Sequence, residues 1–198
     1  MNRQNVLFPD MEDESAEPEP RGFRYRDEII TEVQQEALVE SLRQLDLKPV
    51  DFHGHLGNRR VTSFGLKYDY SRRIVEPAGE MPTFLEELLT LVADFAGTDP
   101  SAFRQIGVSE YRAGAGIGWH KDKQDFGIIV GVSLLTSAIM RFLKPNETRW
   151  TRVSHTLKPR SIYILDREAR TRWEHSIPPL DDLRYSITFR TPAKLSRS

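Results

Sequence analysis

The segment GWHKDKQDF, residues 118–126, places His120 two positions before Asp122 within a run of polar and charged residues. On a β-strand, side chains at positions i and i+2 point to the same face, so one imidazole and one carboxylate could bind the same metal ion there. The pair is weak evidence by itself, because five histidines and 13 aspartates in 198 residues give about 0.3 such pairs by chance. An exposed turn is the alternative interpretation of this segment.

A third metal ligand would have to be histidine, aspartate or glutamate, because the chain has no cysteine. Of the other histidines, His53 and His55 lie in a glycine-rich stretch and His155 lies in an ordinary strand pattern. His175 stands at the end of a late strand, just before a Pro-Pro turn. Two histidines and one carboxylate would form the facial triad of non-haem Fe(II) oxygenases, which leaves coordination positions open. The alternative is a histidine at a strand end with no ligand role.

The last strand pattern, LRYSITFR at 183–190, alternates polar and apolar residues. Its polar face would carry Arg184, Ser186, Thr188 and Arg190. If this face is turned to the protein interior, two buried guanidinium groups require an anion, and arginine binds carboxylates through two parallel hydrogen bonds. A solvated polar face, which is common in antiparallel sheets, is the alternative.

The composition sets outer limits on the class of protein. With 198 residues and 38% hydrophobic residues, the chain fits one domain with a tail. No stretch has the roughly 20 apolar residues that a membrane helix needs, and the first residues lack the apolar centre of a signal peptide. We therefore expect a cytoplasmic protein without membrane contact.

Charge is distributed unevenly along the chain. Residues 1–20 contain six acidic residues and one arginine, whereas residues 100–198 contain 17 lysines and arginines and nine acidic residues. This asymmetry suggests a polyanionic partner, although solvated faces and a solubility-promoting tail explain it equally well. Residues 1–20 are predicted to be a disordered acidic tail, and residues 21–198 a single domain.

The elements that must position these side chains are mainly strands. Thr31 and Gln34 have the spacing of a capping box that opens a first helix, and a second helix is predicted over 83–96, ending at Gly97. After residue 100, about eight short runs of strand-forming residues alternate with turn-like stretches. This pattern predicts an α+β protein with a mainly β core, in which two helices support an antiparallel sandwich, jelly roll or barrel.

As an ordered set, these motifs resemble the AlkB-like Fe(II)/2-oxoglutarate-dependent dioxygenases. The order along the chain is His120-x-Asp122, His175 and Arg184-x5-Arg190. The segment SEYRAGAGIGWHKD is also similar to that family, in which a tyrosine nine residues before the first ligand contacts the co-substrate. Tyr111 has that position. The resemblance covers roughly residues 50–191, and none of the motifs is specific alone.

The resemblance implies a double-stranded β-helix, a jelly-roll variant, over about 103–191, with supporting N-terminal helices. It implies that Fe(II) is bound by three side chains: His120, Asp122 and His175. It also implies 2-oxoglutarate and dioxygen as co-substrates. In the family, the reaction hydroxylates an N-methyl carbon, and the product breaks down to formaldehyde and the repaired base.

The same resemblance assigns the co-substrate contacts. Arg184 would pair with the distal carboxylate of 2-oxoglutarate, and Tyr111 would add a hydrogen bond. Arg190 would support the carboxylate near the iron or orient the aspartate ligand. Ser109 and Ser186 stand where repair-type members often carry asparagine near the co-substrate.

Residues 52–73 are rich in glycine, arginine and aromatic residues, and we expect a short hairpin with an exposed loop. The resemblance implies that this hairpin is a nucleotide-recognition lid. Phe64 and Tyr68 could stack on a base, while Arg59 and Arg60 could contact phosphates. Packing of the aromatic side chains on the domain is the alternative.

The physiological substrate is left open by the sequence. Gln124 stands where some repair members place another acid near the base, and this difference puts the substrate in doubt but not the oxygenase chemistry. The first hypothesis is oxidative demethylation of N-alkylated bases in DNA or RNA by a monomeric enzyme. The second is the same chemistry on a transfer-RNA modification or a protein side chain. The third is a jelly-roll module that binds nucleic acid without catalysis.

Overall fold

The alternation of apolar and polar residues after residue 100 produces strands that pair into two facing antiparallel sheets. A computed structural model describes residues 19–52, 55–69, 74–145 and 150–193. Within them the strands are β1 (Phe23–Arg26), β2 (Lys48–Phe52), β3 (His55–Asp69), β4 (Ile74–Pro77), β5 (Gln105–Tyr111), β6 (Ile117–His120), β7 (Phe126–Leu134), β8 (Ala138–Pro145), β9 (Trp150–Leu157), β10 (Ser161–Leu165), β11 (Glu174–Ile177) and β12 (Arg184–Pro192). The helices are α1 (Glu32–Arg43), α2 (Glu86–Ala96) and α3 (Arg167–Thr171), with 3₁₀ turns at Thr83–Leu85 and Pro100–Ala102.

The larger sheet has the strand order β1-β10-β7-β12-β5-β3-β2, with β4 paired to β3. Its outer face packs on α1 and α2 through an apolar core. Members of this core include Leu42, Leu85, Val92, Val108, Val132 and Ile187. Because alternate residues of a strand point to opposite faces, the same strands turn a second set of side chains to the interior between the sheets.

The ends of the two long helices follow the local sequence signals. Thr31 accepts a hydrogen bond from the backbone N–H of Gln34, and the Gln34 side chain accepts one from the backbone N–H of Thr31, which completes the capping box. Helix α2 ends at Gly97, whose φ of 67° lies in the left-handed region that glycine adopts without strain.

The smaller sheet has the order β6-β11-β8-β9 and faces the interior side of the larger sheet. Apolar side chains from both sheets meet between them, including Ile129 and Leu165 of the larger sheet and Met140, Phe142 and Leu157 of the smaller one. Buried polar side chains also lie in this interior, including those of Ser133, Arg184 and Ser186.

The prediction of a mainly β jelly roll with supporting helices is therefore confirmed. The segment predicted as a lid differs in detail, because β3 pairs along Arg59–Gly65 with β5 and so belongs to the larger sheet. Helix α3 was not predicted. The predicted tail is described only at residues 19 and 20, and the remainder lies outside the described residues. Within the part of the chain described above, no helix has the length and apolar character needed to cross a membrane.

Candidate metal and co-substrate site

Three side chains with the chemistry of metal ligands converge between the sheets. His120 on β6 is the direct register partner of His175 on β11, and Asp122 follows β6 by two residues. One ligand atom from each residue lies within 4.8 Å of the others. The Nε2 atom of His175 is 3.4 Å from Oδ2 of Asp122. The sequence-predicted trio is thus brought together in one place.

Asp122 was expected on the strand with His120, but β6 ends at His120 and Asp122 lies in the following loop. Its position is set by contacts instead of strand alternation. Arg190 donates a hydrogen bond of 3.2 Å from Nη2 to Oδ1 of Asp122. Burial alone would raise the pKa of Asp122, but the charges of Arg190 and then His175 lower it to about 2. The carboxylate is therefore ionised at neutral pH, as a metal ligand must be.

The histidines are also held in a form suited to metal binding. Burial lowers the pKa of His175 to about 4, so this imidazole is neutral at pH 7. Nδ1 of His120 lies 2.9 Å from the carbonyl oxygen of Gly118. Because a carbonyl only accepts hydrogen bonds, Nδ1 is the donor in this contact, so Nε2 is the ring nitrogen that could bind a metal ion.

Arg170 on α3 is a site residue that the sequence reasoning missed. This buried side chain donates hydrogen bonds to the backbone carbonyls of Asp122, at 3.1 Å, of Phe126, at 2.8 Å, and of Lys123. One guanidinium group thereby holds the loop that carries the aspartate ligand. A single arginine in a five-residue helix has no sequence pattern that reveals such a role.

Arg184 lies on the same interior face of β12 as Arg190, which contacts Asp122, and it is fully buried, at 0% exposure. Its Nε donates to Oγ of Ser133 at 2.9 Å, but Nη1 and Nη2 have no hydrogen-bond partner among the described residues. The Tyr111 ring lies 5.1 Å from its Cζ atom. A buried cation with two unpaired donor groups provides the donors that a carboxylate accepts in pairs. The polar face of this strand is thus turned inward and is not solvated.

Serine side chains line the strands around this arginine. Ser186 is the cross-strand partner of Ser109 on one side and of Ser133 on the other. Tyr163 lies in the same interior, and burial raises its pKa to about 12. Its ring covers Gly131, where an added Cβ would lie 2.2 Å from Tyr163 Cζ, so this position requires glycine. The sequence analysis did not identify Tyr163 or Gly131.

The predicted substrate residues separate onto the two faces of β3. Arg59 lies on the interior side, with Cζ 5.9 Å from the Tyr111 ring centroid. Arg60 lies on the opposite side, where Nη1 is 3.2 Å from Oε1 of the buried Glu110. Strand alternation therefore places the Arg60 cation against an internal carboxylate, across the sheet from the candidate metal ligands, and its contact with a phosphate stays a prediction.

Phe64 shares that opposite side, where it packs against the core beneath the helices, as the alternative interpretation of its ring expects. Its stacking on a base stays a prediction. Tyr68 lies further along β3, and Nζ of Lys123 is 4.8 Å from its ring centroid. Since Lys123 follows Asp122 by one residue, Tyr68 is next to the loop that carries the metal ligand. Of the four predicted substrate residues, Arg59 and Tyr68 are on the side of the site.

Comparison with known proteins agrees with this geometry. The model of the 2OG-Fe(II) oxygenase superfamily matches residues 22–190. The chain therefore belongs to the 2OG-Fe(II) oxygenase superfamily.

Two curated relatives extend over most of this chain. An uncharacterized protein of Acanthamoeba polyphaga mimivirus is 29% identical over an alignment of 194 residues, and the match covers 87% of this chain and 86% of the viral protein. The alkylated DNA repair protein ALKBH8 homolog of Arabidopsis thaliana is 28% identical over an alignment of 168 residues, and the match covers 71% of this chain. The matched region is 48% of that plant protein, so the chain spans about half its length.

Solved structures with the same fold include OsALKBH1, with a TM-score of 0.63 and 16% identity, covering 86% of this chain and 98% of that one. A Pseudomonas putida prolyl-4-hydroxylase has a TM-score of 0.59 and 12% identity, covering 86% and 92%. The family match, the Arabidopsis relative and the fold shared with OsALKBH1 confirm the resemblance to AlkB-like 2-oxoglutarate oxygenases.

Proposed function

We propose that this chain is an Fe(II)- and 2-oxoglutarate-dependent dioxygenase that removes methyl groups from nitrogen atoms of bases in DNA or RNA. The observation that carries the co-substrate assignment is Arg184, a fully buried cation on the interior face of β12 whose two Nη groups have no hydrogen-bond partner within the described part of the chain. Leaving such a group without an anion is costly, so the site favours a ligand with a carboxylate. 2-Oxoglutarate has one at each end.

The residues present fit Fe(II). His120, Asp122 and His175 form a two-histidine, one-carboxylate set, and open coordination positions are the usual feature of such a set. When bound, iron and 2-oxoglutarate supply the oxidation of a methyl group by dioxygen. Overall, the methylated base, dioxygen and 2-oxoglutarate become the unmethylated base, formaldehyde, succinate and carbon dioxide.

The chain's own residues bind and orient the reactants. Arg184 pairs with the distal carboxylate of 2-oxoglutarate, and Tyr111 beside it adds a hydrogen bond. Ser109 and Ser186 are cross-strand partners on the strands that carry Tyr111 and Arg184. Arg190 fixes Oδ1 of Asp122. Holding reactants in a fixed arrangement removes much of the entropic cost of the reaction.

A methylated base must leave its stack to reach such an enclosed site. Arg59 on the interior side of β3, and the Tyr68–Lys123 pair beside the metal loop, supply a cation and an aromatic surface for the flipped nucleotide. The Arabidopsis relative, named as an alkylated DNA repair protein, supports a nucleic-acid substrate.

Single-stranded oligonucleotides containing N1-methyladenine or N3-methylcytosine test this proposal. With Fe(II) and 2-oxoglutarate, the full chain is expected to release succinate and formaldehyde in equal amounts. His155→Ala serves as a histidine control, because His155 lies on β9 and contacts Glu19. Absence of turnover on every such oligonucleotide would reject the demethylase assignment and leave the oxygenase class intact.

Three alternatives make different predictions. The same chemistry on a protein side chain predicts little salt dependence of substrate binding, whereas a nucleic-acid substrate predicts a steep log–log decrease of affinity with salt. A non-catalytic module predicts that His120→Ala and Asp122→Ala leave both iron content and oligonucleotide affinity unchanged. A transfer-RNA substrate predicts turnover on modified transfer RNA but not on methylated DNA strands.

A further inference from the structure

The outer face of the smaller sheet carries exposed aromatic and apolar side chains. Trp119 on β6 is 40% exposed, Trp150 on β9 is 52% exposed, and Ile139 on β8 is 50% exposed. The burial pattern along β9 alternates strictly, with Trp150, Arg152, Ser154 and Thr156 all exposed. Two partly exposed indole rings on one sheet face offer flat aromatic surfaces on which a planar group can stack.

Cations are interleaved with these tryptophans. Arg141 on β8 lies with its Cζ atom 5.1 Å from the Trp119 ring centroid, and its Nε donates to Oγ of Ser176 at 3.1 Å. These contacts hold the Arg141 guanidinium flat against the sheet beside the indole. Arg152 is exposed in the next row of the same face, where Leu143 is its register partner. Glu174 and Leu143 share the row of Arg152, and Ile139 also lies on this face. The face is therefore a mixture of two indole rings, two arginines, one acid and small polar and aliphatic residues instead of a continuous apolar patch.

This face is joined to the catalytic side through one strand. Trp119 and His120 are consecutive residues of β6, so the first points outward and the second toward the interior cluster. Beyond the strand, Lys121 and Lys123 are both exposed, and Lys123 lies over Tyr68. A row of basic and aromatic side chains therefore leads from the outer face around the end of β6 to the metal loop.

We propose that the outer face of β6-β11-β8-β9 binds an unpaired nucleic-acid strand and extends the substrate interaction beyond the nucleotide in the active site. The proposal rests on the proposed nucleic-acid substrate. Flat rings on which bases stack, with arginines between them for phosphates, match a single strand. The four strands from Trp119 to Trp150 span roughly 14 Å at about 4.8 Å per strand, the width of a few nucleotides. A protein partner would require a larger continuous apolar centre.

The test compares oligonucleotide lengths in the full-length protein. Unmodified oligothymidylates of about four and about 15 nucleotides are titrated while anisotropy and intrinsic tryptophan fluorescence are recorded. Of the three tryptophans, Trp119 and Trp150 are exposed and Trp173 is buried, so stacking on this face quenches fluorescence directly. The variant is Trp150→Ala/Arg152→Ala, and the matched control is Val33→Ala/Arg43→Ala on the exposed side of α1.

The variant is expected to bind the longer strand about tenfold more weakly, to lose most of the quenching, and to bind the shorter strand unchanged. The control is expected to match the wild type. Equal affinity of the variant and the wild type for the longer strand would overturn the proposal, as would absence of binding by the wild type. The wild type could instead self-associate through this face. Self-association that is lost in the variant and unaffected by oligonucleotide would assign the face to a second copy of the chain and would also overturn the proposal.

Turnover of a short methylated strand separates this proposal from the proposed function. If the wild type demethylates the short strand and the variant keeps the wild-type dependence of affinity on oligonucleotide length, only the proposed binding face is rejected. Loss of long-strand affinity in the variant, without turnover of any methylated strand, supports the binding face and rejects the demethylase assignment.

Discussion

His120 and His175 are register partners across β6 and β11, and their ring centroids lie 4.3 Å apart. A single backbone pairing therefore places two metal ligands at once. A shift of one residue in this register would turn one imidazole to the outer face. Asp122 is positioned differently, by two hydrogen bonds. Arg190 donates one to its carboxylate, and Arg170 donates one to its backbone carbonyl.

Removal of a ligand side chain is expected to abolish metal binding without unfolding the protein. His175→Ala deletes one of three ligands, and anaerobic titration with Fe(II) or Mn(II) should then show no specific site. His155→Ala is the matched histidine control and should bind metal like the wild type, because His155 contacts Glu19 instead of the cluster. Equal metal affinity in both variants would show that the cluster is not the metal site.

Arg170 is expected to act as a positioning residue. Arg170→Ala removes the donor to three backbone carbonyls of the loop after His120, so Asp122 loses its fixed position. Metal affinity should fall by about 10- to 100-fold, the usual effect of losing an outer support of a metal ligand. Arg172→Ala, at an exposed position of the same segment, should leave affinity unchanged. Partial recovery in Arg170→Lys would separate loop positioning from a general loss of folding.

Arg184 is expected to lower the stability of the ligand-free protein and to strengthen the binding of 2-oxoglutarate. Arg184→Met replaces a buried cation with an apolar side chain of similar length, so the ligand-free protein should gain stability on the order of 1 kcal/mol. The same variant should bind 2-oxoglutarate about 100-fold more weakly, because two charge-assisted hydrogen bonds are lost. Thermal unfolding with and without 2-oxoglutarate measures both effects. A ligand-induced rise in Tm equal to that of the wild type would contradict the role of Arg184.

The neighbours Arg59 and Arg60 are expected to affect different properties. Arg59→Ala, on the interior side of β3, should lower kcat/KM for a methylated oligonucleotide by about tenfold while stability changes little. Arg60→Ala removes a partner of the buried Glu110 and should lower the free energy of unfolding while kcat/KM is retained. Urea denaturation measures the stability of both variants, and steady-state kinetics measure their kcat/KM. A loss of kcat/KM in Arg60→Ala and of stability in Arg59→Ala would place the substrate on the helix side of the sheet.

Glu110 is expected to contribute to the loss of folding stability at low pH. Burial alone would raise its pKa, but hydrogen bonds from Tyr185, Arg60 and Arg112 lower it below the ordinary value of 4.5. A lowered pKa in the folded state contributes stability above about pH 4.5 that is lost as the pH falls. Glu110→Gln should therefore be less stable than the wild type at pH 7, and the difference should shrink toward about pH 3. A difference that does not change with pH would exclude this linkage.

The sequence predicts the local features well because their causes are local. The capping box at Thr31 and the left-handed Gly97 depend on neighbouring residues, and both occur where expected. The candidate metal ligands were found from residue types and their order along the chain, whereas the strand alternation assumed for Asp122 is wrong, because Asp122 lies in the loop after β6. The role of Arg170 depends instead on how a short helix packs against a distant loop, and no periodic signal encodes that contact.

The assignment of β3 shows a second limit. Alternation separates Arg59 from Arg60, but the pattern alone does not tell which face is turned toward the metal ligands. That choice follows from the pairing of β3 with β5, where Arg59 is opposite Tyr111 and Arg60 is opposite Glu110. Such pairing between strands distant in sequence is a tertiary property, and it also decides that Phe64 joins the core beneath the helices.

The bond between Arg190 and Asp122 has a mechanical consequence. His120 and His175 belong to the smaller sheet, whereas Arg190 ties the third ligand to β12 in the larger one. An ion held by all three side chains would act as a cross-link between the two layers of the jelly roll. Binding of the metal would then stabilise the packing of the two sheets against each other, and its release would weaken that packing.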